Sequence, residues 1–174
     1  MNLLPGNVYL IGLMGAGKTT VGRKLAGLLK VDFIDTDQLL EERTGVSIAH
    51  IFEIEGEQGF RDRESRLFEE ISGGTNAVIS TGGGLVLNPD NRVRMEQSGK
   101  AVYLRADIEI LWKRLKNCHT RPLLQTQDPR SRLEKLIVER DPIYLEVADH
   151  IIKVTSGSAS KTAQLIRQIL NTVT

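Results

Sequence analysis

Short apolar runs at Val8–Ile11, Val31–Ile34, Ala77–Ser80, Ala101–Leu104 and Ile151–Val154 punctuate the chain, separated by polar or helix-like segments. Near-continuous apolar runs of this length fit strands covered on both faces. Between them, helical spacing is clear in Val21, Leu25, Leu28 and Leu29, in Ile108, Leu111, Trp112 and Leu115, and in Leu133, Leu136 and Ile137. It returns in Leu165, Ile166, Ile169, Leu170 and Val173. Strands that alternate with helices, joined by right-handed crossovers, predict a five-stranded, mainly parallel sheet in a three-layer α/β domain. At 174 residues, with no repeat, low-complexity tract or linker, the chain reads as one domain over 1–174.

One junction carries chemistry. After the first run comes Gly12-Leu-Met-Gly-Ala-Gly-Lys18-Thr19, which fits G-x-x-x-x-G-K-[ST] and leads into an amphipathic helix. Glycines at 12, 15 and 17 let the backbone curl into a nest of N–H groups, above the positive end of that helix. Lys18 is expected at the β/γ phosphates and Thr19 on magnesium, with Gly12, Met14, Gly15, Ala16, Gly17 and Thr20 completing the loop's nucleotide contacts.

Composition narrows the partners. With 23 basic and 22 acidic residues the formal charge is +1, no electrostatic footprint for nucleic acid or an anionic membrane. A small ligand is the default. No apolar stretch approaches the ~18–20 residues of a membrane span. The first strand begins by Val8, which leaves no room for a leader, and the expectation is a cytoplasmic protein. Cys118 is the only cysteine, so no internal disulfide can form. An even charge balance with no leftover apolar stripe suggests a monomer.

Other candidates stand at strand ends or in loops. Asp35-Thr36-Asp37 follows the second run, at the rim where open α/β sheets bind ligands. One carboxylate could hold magnesium through water and the other could serve a substrate hydroxyl, or either could simply cap the next helix. Gly82-Gly83-Gly84 follows the third run and clears every side chain from that rim, offering backbone N–H groups to a close ligand. From Cys118 to Arg132 no period holds, and this segment reads as a closing lid. Arg61, Arg121 and Arg140 could clamp a carboxylate or a transferring phosphate, although each alone reads as a surface residue. His50 and His119 lack metal-ligand neighbours, and Trp112 reads as core.

Taken jointly, GLMGAGKTTVGRKLA at 12–26, FIDTD at 33–37, SIAHIFEIEGEQGFRDRE at 47–64, STGGG at 80–84, RPLL at 121–124 and RDPIY at 140–144 resemble the shikimate kinases, in the family's order. The resemblance implies ATP-dependent phosphorylation of the shikimate 3-hydroxyl, in the route to chorismate and aromatic amino acids. It implies a P-loop kinase fold, with a lid near 118–132 and a substrate-binding helical segment near 35–66. It assigns Lys18 to the phosphates, and Thr19 and Asp35 to Mg2+. Asp37 takes the shikimate hydroxyls as the base. Arg61 and Arg140 take the carboxylate, helped by Gly82, Gly83 and Gly84; Arg121 meets the transferring phosphate, and Arg114 stacks on adenine. This chain departs from the family at 155–161, where Thr-Ser-Gly-Ser-Ala-Ser-Lys replaces the common arginine and proline. Two arginines argue for an anionic acceptor, but gluconate is anionic too, so a gluconate or nucleoside monophosphate kinase is the rival. A guanine-specific switch would need Asn-Lys-x-Asp, which is missing.

Overall fold

Each apolar run forms a strand of one parallel sheet: β1 (Asn7–Ile11), β2 (Asp32–Asp35), β3 (Ala77–Ser80), β4 (Gly99–Ala106) and β5 (His150–Val154). The structure, a computed structural model, describes residues 6–172. Strand order is β2-β3-β1-β4-β5. Central β1 pairs Val8 with Val78 of β3 and Tyr9 with Ala101 of β4, and all its residues are buried.

The helices are α1 (Lys18–Leu29), α2 (Thr36–Thr44), α3 (Ile48–Ser72), α4 (Pro89–Ser98), α5 (Ile108–Leu115), α6 (Pro129–Val147) and α7 (Ala159–Thr172). From β1 the chain crosses outward through α1 to β2, whereas from β3 it crosses back over β1 through α4 to β4. Right-handed crossovers in opposite directions put α1 and α4 on opposite faces. The carboxyl ends of β1 and β3 therefore border the crevice where the winding reverses, the place such sheets bind ligands. Both glycine-rich turns emerge there.

Several boundaries differ from the pattern-based expectation. The segment expected to be lid as far as Arg132 is already helical from Pro129, because Asp128 accepts a hydrogen bond from Ser131 N at 3.0 Å and proline suits a first helical position. Leu165 is exposed, and Ala163 and Ile166 carry the buried face of α7 instead. Val173 lies outside the described residues. Helix α3 is broken at Gly56, where φ of 70° and ψ of −176° interrupt the helical path. Beyond the main core, Leu40, Ile51, Phe60 and Leu67 form a small second core that joins α2 to α3. Asp37 lies at the start of that arm, directly after β2.

Candidate active site

The loop after β1 takes the form its glycines allow. Gly15 and Gly17 have φ of 80° and 98°, and a Cβ on Gly12 would stand 2.7 Å from the Leu104 carbonyl oxygen. Gly17 precedes α1 without any side-chain cap, and the first turn carries no acidic residue. The helix thus presents bare N–H groups and its positive end to the crevice. Lys18 is buried, and its Nζ donates to the carbonyls of Gly12 (2.7 Å) and Leu13 (2.9 Å). Burial lowers its pKa to about 8, partly offset by Asp37 and Asp35.

Of the roles left open by its sequence position, Asp35 takes the cap with one oxygen and turns the other to the phosphate loop. Oδ1 accepts from the backbone N–H groups of Asp37 and Gln38, capping α2, while Oδ2 accepts from Thr19 Oγ1 at 2.6 Å. A hydroxyl and a carboxylate thus stand together beside the phosphate loop. Asp37, within the first turn of α2, faces the cavity and lies 3.6 Å from Arg121 Nη1. Burial, and then the neighbouring Asp35, raise its pKa against the pull of Arg121.

The three glycines after β3 are the point of convergence. A Cβ on Gly82 would lie 2.2 Å from Glu64 Oε1 and 2.9 Å from Asp37 Oδ1. On Gly83 it would lie 3.6 Å from Arg140 Nη1, 3.4 Å from Gly12 O and 3.5 Å from Met14 N. On Gly84 it would lie 2.3 Å from the Arg61 guanidinium carbon. Consecutive residues are ~3.8 Å apart, so both arginines, both carboxylates and the phosphate loop meet around one turn. One expectation needs correction: the Gly82 N–H is not offered to a ligand, because it donates to Thr36 Oγ1 at 2.9 Å.

Arg140 is only 3 % exposed, and its Nη1 has no hydrogen-bond partner among the described residues. Burying a guanidinium with a bare N–H is costly unless an anion completes it. Arg61 donates to Glu64 (2.7 Å) and Glu57 (3.2 Å), and its Nε is likewise unpaired. Glu64 was not singled out from the sequence. It is fully buried, burial pushes its pKa up to about 7 despite Arg61, and its Oε1 has no partner. Its spacing of three residues after Arg61, on one helix, was the available signal.

A cavity of about 960 Å3 runs along this edge, lined by Lys18, Thr19, Asp35, Asp37, Gly83 and Arg121 among others. Arg61 and Arg140 are not on its wall; Arg61 lines a neighbouring cavity with Glu64, and both arginines adjoin the glycine turn. At the other end Arg114 lines the cavity and donates from Nη1 to Gly15 O at 2.7 Å, opposite Val154, Gly157 and Thr162. His119 also borders the cavity, whereas His50 is exposed on α3 and Trp112 packs half-buried against the core, as expected.

A phosphate-binding loop that shares a crevice with carboxylates, beside a glycine turn flanked by two arginines on a parallel sheet of this order, defines a P-loop small-molecule kinase. The shikimate kinase family model matches residues 14–174. A shikimate kinase of Nitrosospira multiformis is 48% identical over 165 residues, covering 95% of this chain and 85% of that protein. One of Halorhodospira halophila is 48% identical, covering 95% and 94%. The structure of a shikimate kinase from Acinetobacter baumannii in complex with shikimate superimposes with a TM-score of 0.94 at 44% identity, covering 96% of this chain and 93% of that one. The chain belongs to the shikimate kinase family.

Proposed function

We propose that this chain transfers the γ-phosphoryl group of ATP to the 3-hydroxyl of shikimate, giving shikimate 3-phosphate and ADP. The observation that carries the reading is the meeting of Asp37, Arg61 and Arg140 at Gly82–Gly84, against the phosphate loop. Shikimate is a small ring with one carboxylate and three hydroxyls. Two guanidinium groups with unpaired buried nitrogens suit the carboxylate, and Asp37 suits the hydroxyls. The Acinetobacter baumannii relative, a shikimate kinase, was solved in complex with shikimate, which supports the reading.

Phosphoryl transfer is mostly positioning and charge neutralisation. In this reading the N–H groups of Gly15 and Gly17 and those opening α1 hold the phosphates, while the Ala16 N–H closes the loop onto Leu13 O at 3.2 Å, with Met14 and Thr20 at the loop's two ends. Lys18 exchanges its carbonyl partners for phosphate oxygens. Arg121 leaves Asp37 for the transferring group, and Asp37 then accepts the hydrogen of the attacking hydroxyl. Its raised pKa makes it a somewhat better acceptor than an exposed aspartate, although a loose transition state asks little of the base. Arg114, beside Gly15, packs on the adenine, and the small residues at 155–161 leave that end open.

Thr19 and Asp35 fit Mg2+. Their oxygens already lie 2.6 Å apart at the loop, and magnesium favours one or two protein oxygens with water and phosphate completing the shell. Among the described residues no cluster of three or more histidine, cysteine or acidic side chains suggests a different metal. When bound, the ion would neutralise charge on the β and γ phosphates.

The chain would act as a cytoplasmic monomer, with ATP and shikimate as its partners and neither nucleic acid nor membrane among them. No described helix is long and apolar enough to cross a membrane. Residues 118–128 and the first turn of α6 would form the lid, and 35–66 the acceptor-binding arm, within one domain over 1–174. Coupled measurement of ADP release tests the reading. Shikimate should support turnover, and preference for gluconate, AMP or CMP would replace it with a rival kinase activity.

A further inference from the structure

Tyr144 lies one helical turn beyond Arg140 on α6, so both side chains leave the same face. It is fully buried, and its hydroxyl donates to the carbonyl of Gly83, the middle of the glycine turn. Its ring packs on Tyr103 with centroids 4.9 Å apart. Tyr103 is fixed in turn. Its hydroxyl donates to Asp141 Oδ1 at 2.7 Å, and the same carboxylate takes Arg105 Nε at 2.9 Å and Nη2 at 2.7 Å. The Tyr103 ring lies 3.4 Å from where a Cβ on Gly12 would stand, so the two tyrosines bridge the phosphate loop, the glycine turn and the helix of Arg140.

A buried tyrosine is often only core. Here, however, the Gly82 and Gly84 carbonyls accept from Leu85 and Leu87 N–H within the turn, and the Gly83 carbonyl between them takes the Tyr144 hydroxyl. Thr36 fixes Gly82 from one side, and the Tyr144 hydroxyl fixes Gly83 from the other. A Cβ on Gly83 would stand 3.6 Å from the bare Nη1 of Arg140, and the Arg140 guanidinium also neighbours the Tyr144 hydroxyl directly. We propose that Tyr144 is a positioning residue for the acceptor: its hydroxyl, bonded to the Gly83 carbonyl and beside the Arg140 guanidinium on the same helix face, holds the two together where the acceptor carboxylate must land. This rests on the reading of Arg140 as a carboxylate ligand. Burial holds the tyrosine pKa at about 12, so the donor persists through neutral pH.

Tyr144→Phe keeps the ring and deletes only the hydroxyl. Loss of one buried hydrogen bond that orients a ligand predicts a rise in the KM for shikimate of roughly five- to tenfold, with kcat and the KM for ATP within about twofold. Tyr9→Phe is the control. Tyr9 is equally buried, but its hydroxyl meets Ser98 Oγ and Asn7 Nδ2, so the variant should lower Tm without moving the KM for shikimate. An unchanged shikimate KM in Tyr144→Phe, a parallel rise in the KM for ATP, or an equal shift in Tyr9→Phe would overturn the inference. If Tyr144→Phe does not fold, Asp141→Asn loosens Tyr103 and Arg105 but keeps the Tyr144 hydroxyl; a smaller shift in the same KM supports the bridge, and no shift refutes it. Wild-type turnover with shikimate separates the two readings, because its absence defeats the proposed function itself.

Discussion

Gly84→Ala tests the carboxylate clamp without touching a charged residue. The backbone at Gly84, φ −102° and ψ 0°, is open to alanine, so strain is not the issue. The new methyl would instead stand 2.3 Å from Arg61 Cζ and Nη2 and 2.4 Å from Nη1. Carbon contacts settle near ~3.5–4.0 Å, so the guanidinium must withdraw by more than about 1 Å. A flexible side chain can do that with the fold intact, but it moves off the acceptor and loosens its 2.7 Å contact with Glu64. Losing one charged hydrogen bond costs about 1.5–3 kcal/mol, hence a rise in the KM for shikimate of roughly 10- to 150-fold. The KM for ATP should stay within about twofold, since the phosphate loop is unaffected. Coupled ADP release with each substrate varied in turn gives both constants. In an Arg61→Ala background the same substitution should add less than about threefold, because its target is gone. If Gly84→Ala left the shikimate KM in place, or took its full toll again without Arg61, the clamp would be wrongly assigned.

Other expectations follow from the same geometry. Arg140→Ala should chiefly raise the KM for shikimate, and unchanged acceptor saturation kinetics would remove Arg140 from the site. Lys18→Ala should cut kcat by on the order of a hundredfold or more, and Arg121→Ala should depress kcat more than ATP affinity, as steady-state kinetics would reveal. With the Lys18 pKa lowered to about 8, its positive charge fades above that pH, and the KM for ATP should climb there more steeply than in Lys18→Arg. Glu64, whose pKa rises from 4.5 to about 7 on folding, keeps a proton that the unfolded chain releases between those values. It therefore lowers stability as pH rises through that window, and Glu64→Gln should flatten the decline of Tm between pH 5 and 7 in calorimetry. Removing Mg2+ with a chelator should abolish ADP formation, and restoring the ion should recover it; activity insensitive to chelation would contradict the role given to Thr19 and Asp35.

What could be read from sequence was whatever rests on local physics. The phosphate loop needs its glycines, Lys18 and Thr19 within one turn, and five buried strands need continuous apolar runs, so both were legible. The start of α6 was also written in the chain, as Asp128-Pro129, an N-cap followed by a proline, but the polar run around it reads as loop. Asp35 could not be resolved from spacing alone. Whether it caps α2 or meets Thr19 depends on an approach between residues 16 apart in sequence, and its two oxygens do both. Glu64 and Tyr144 were hidden for the same reason: their roles lie in what folding places opposite them.

The triple glycine shows why a joint motif outperforms its parts. As a turn it needs at most one glycine, and nothing local explains three. The sheet supplies the reason, since reversal of the winding beside β1 brings residues 82–84 against the phosphate loop, while α3 and α6 bring arginines from either side. The direction in which a Cβ would project is already taken by Glu64 and Asp37 at Gly82 and by Arg61 at Gly84, whereas at Gly83 it would meet Arg140 and the phosphate loop at ordinary contact distance. Gly82 and Gly84 are therefore set by the charged groups around them. In the proposed reading, an acceptor small enough to sit between those groups and the nucleotide would present its carboxylate to the arginines and a hydroxyl to Asp37, which would restrict the substrate by shape and charge together.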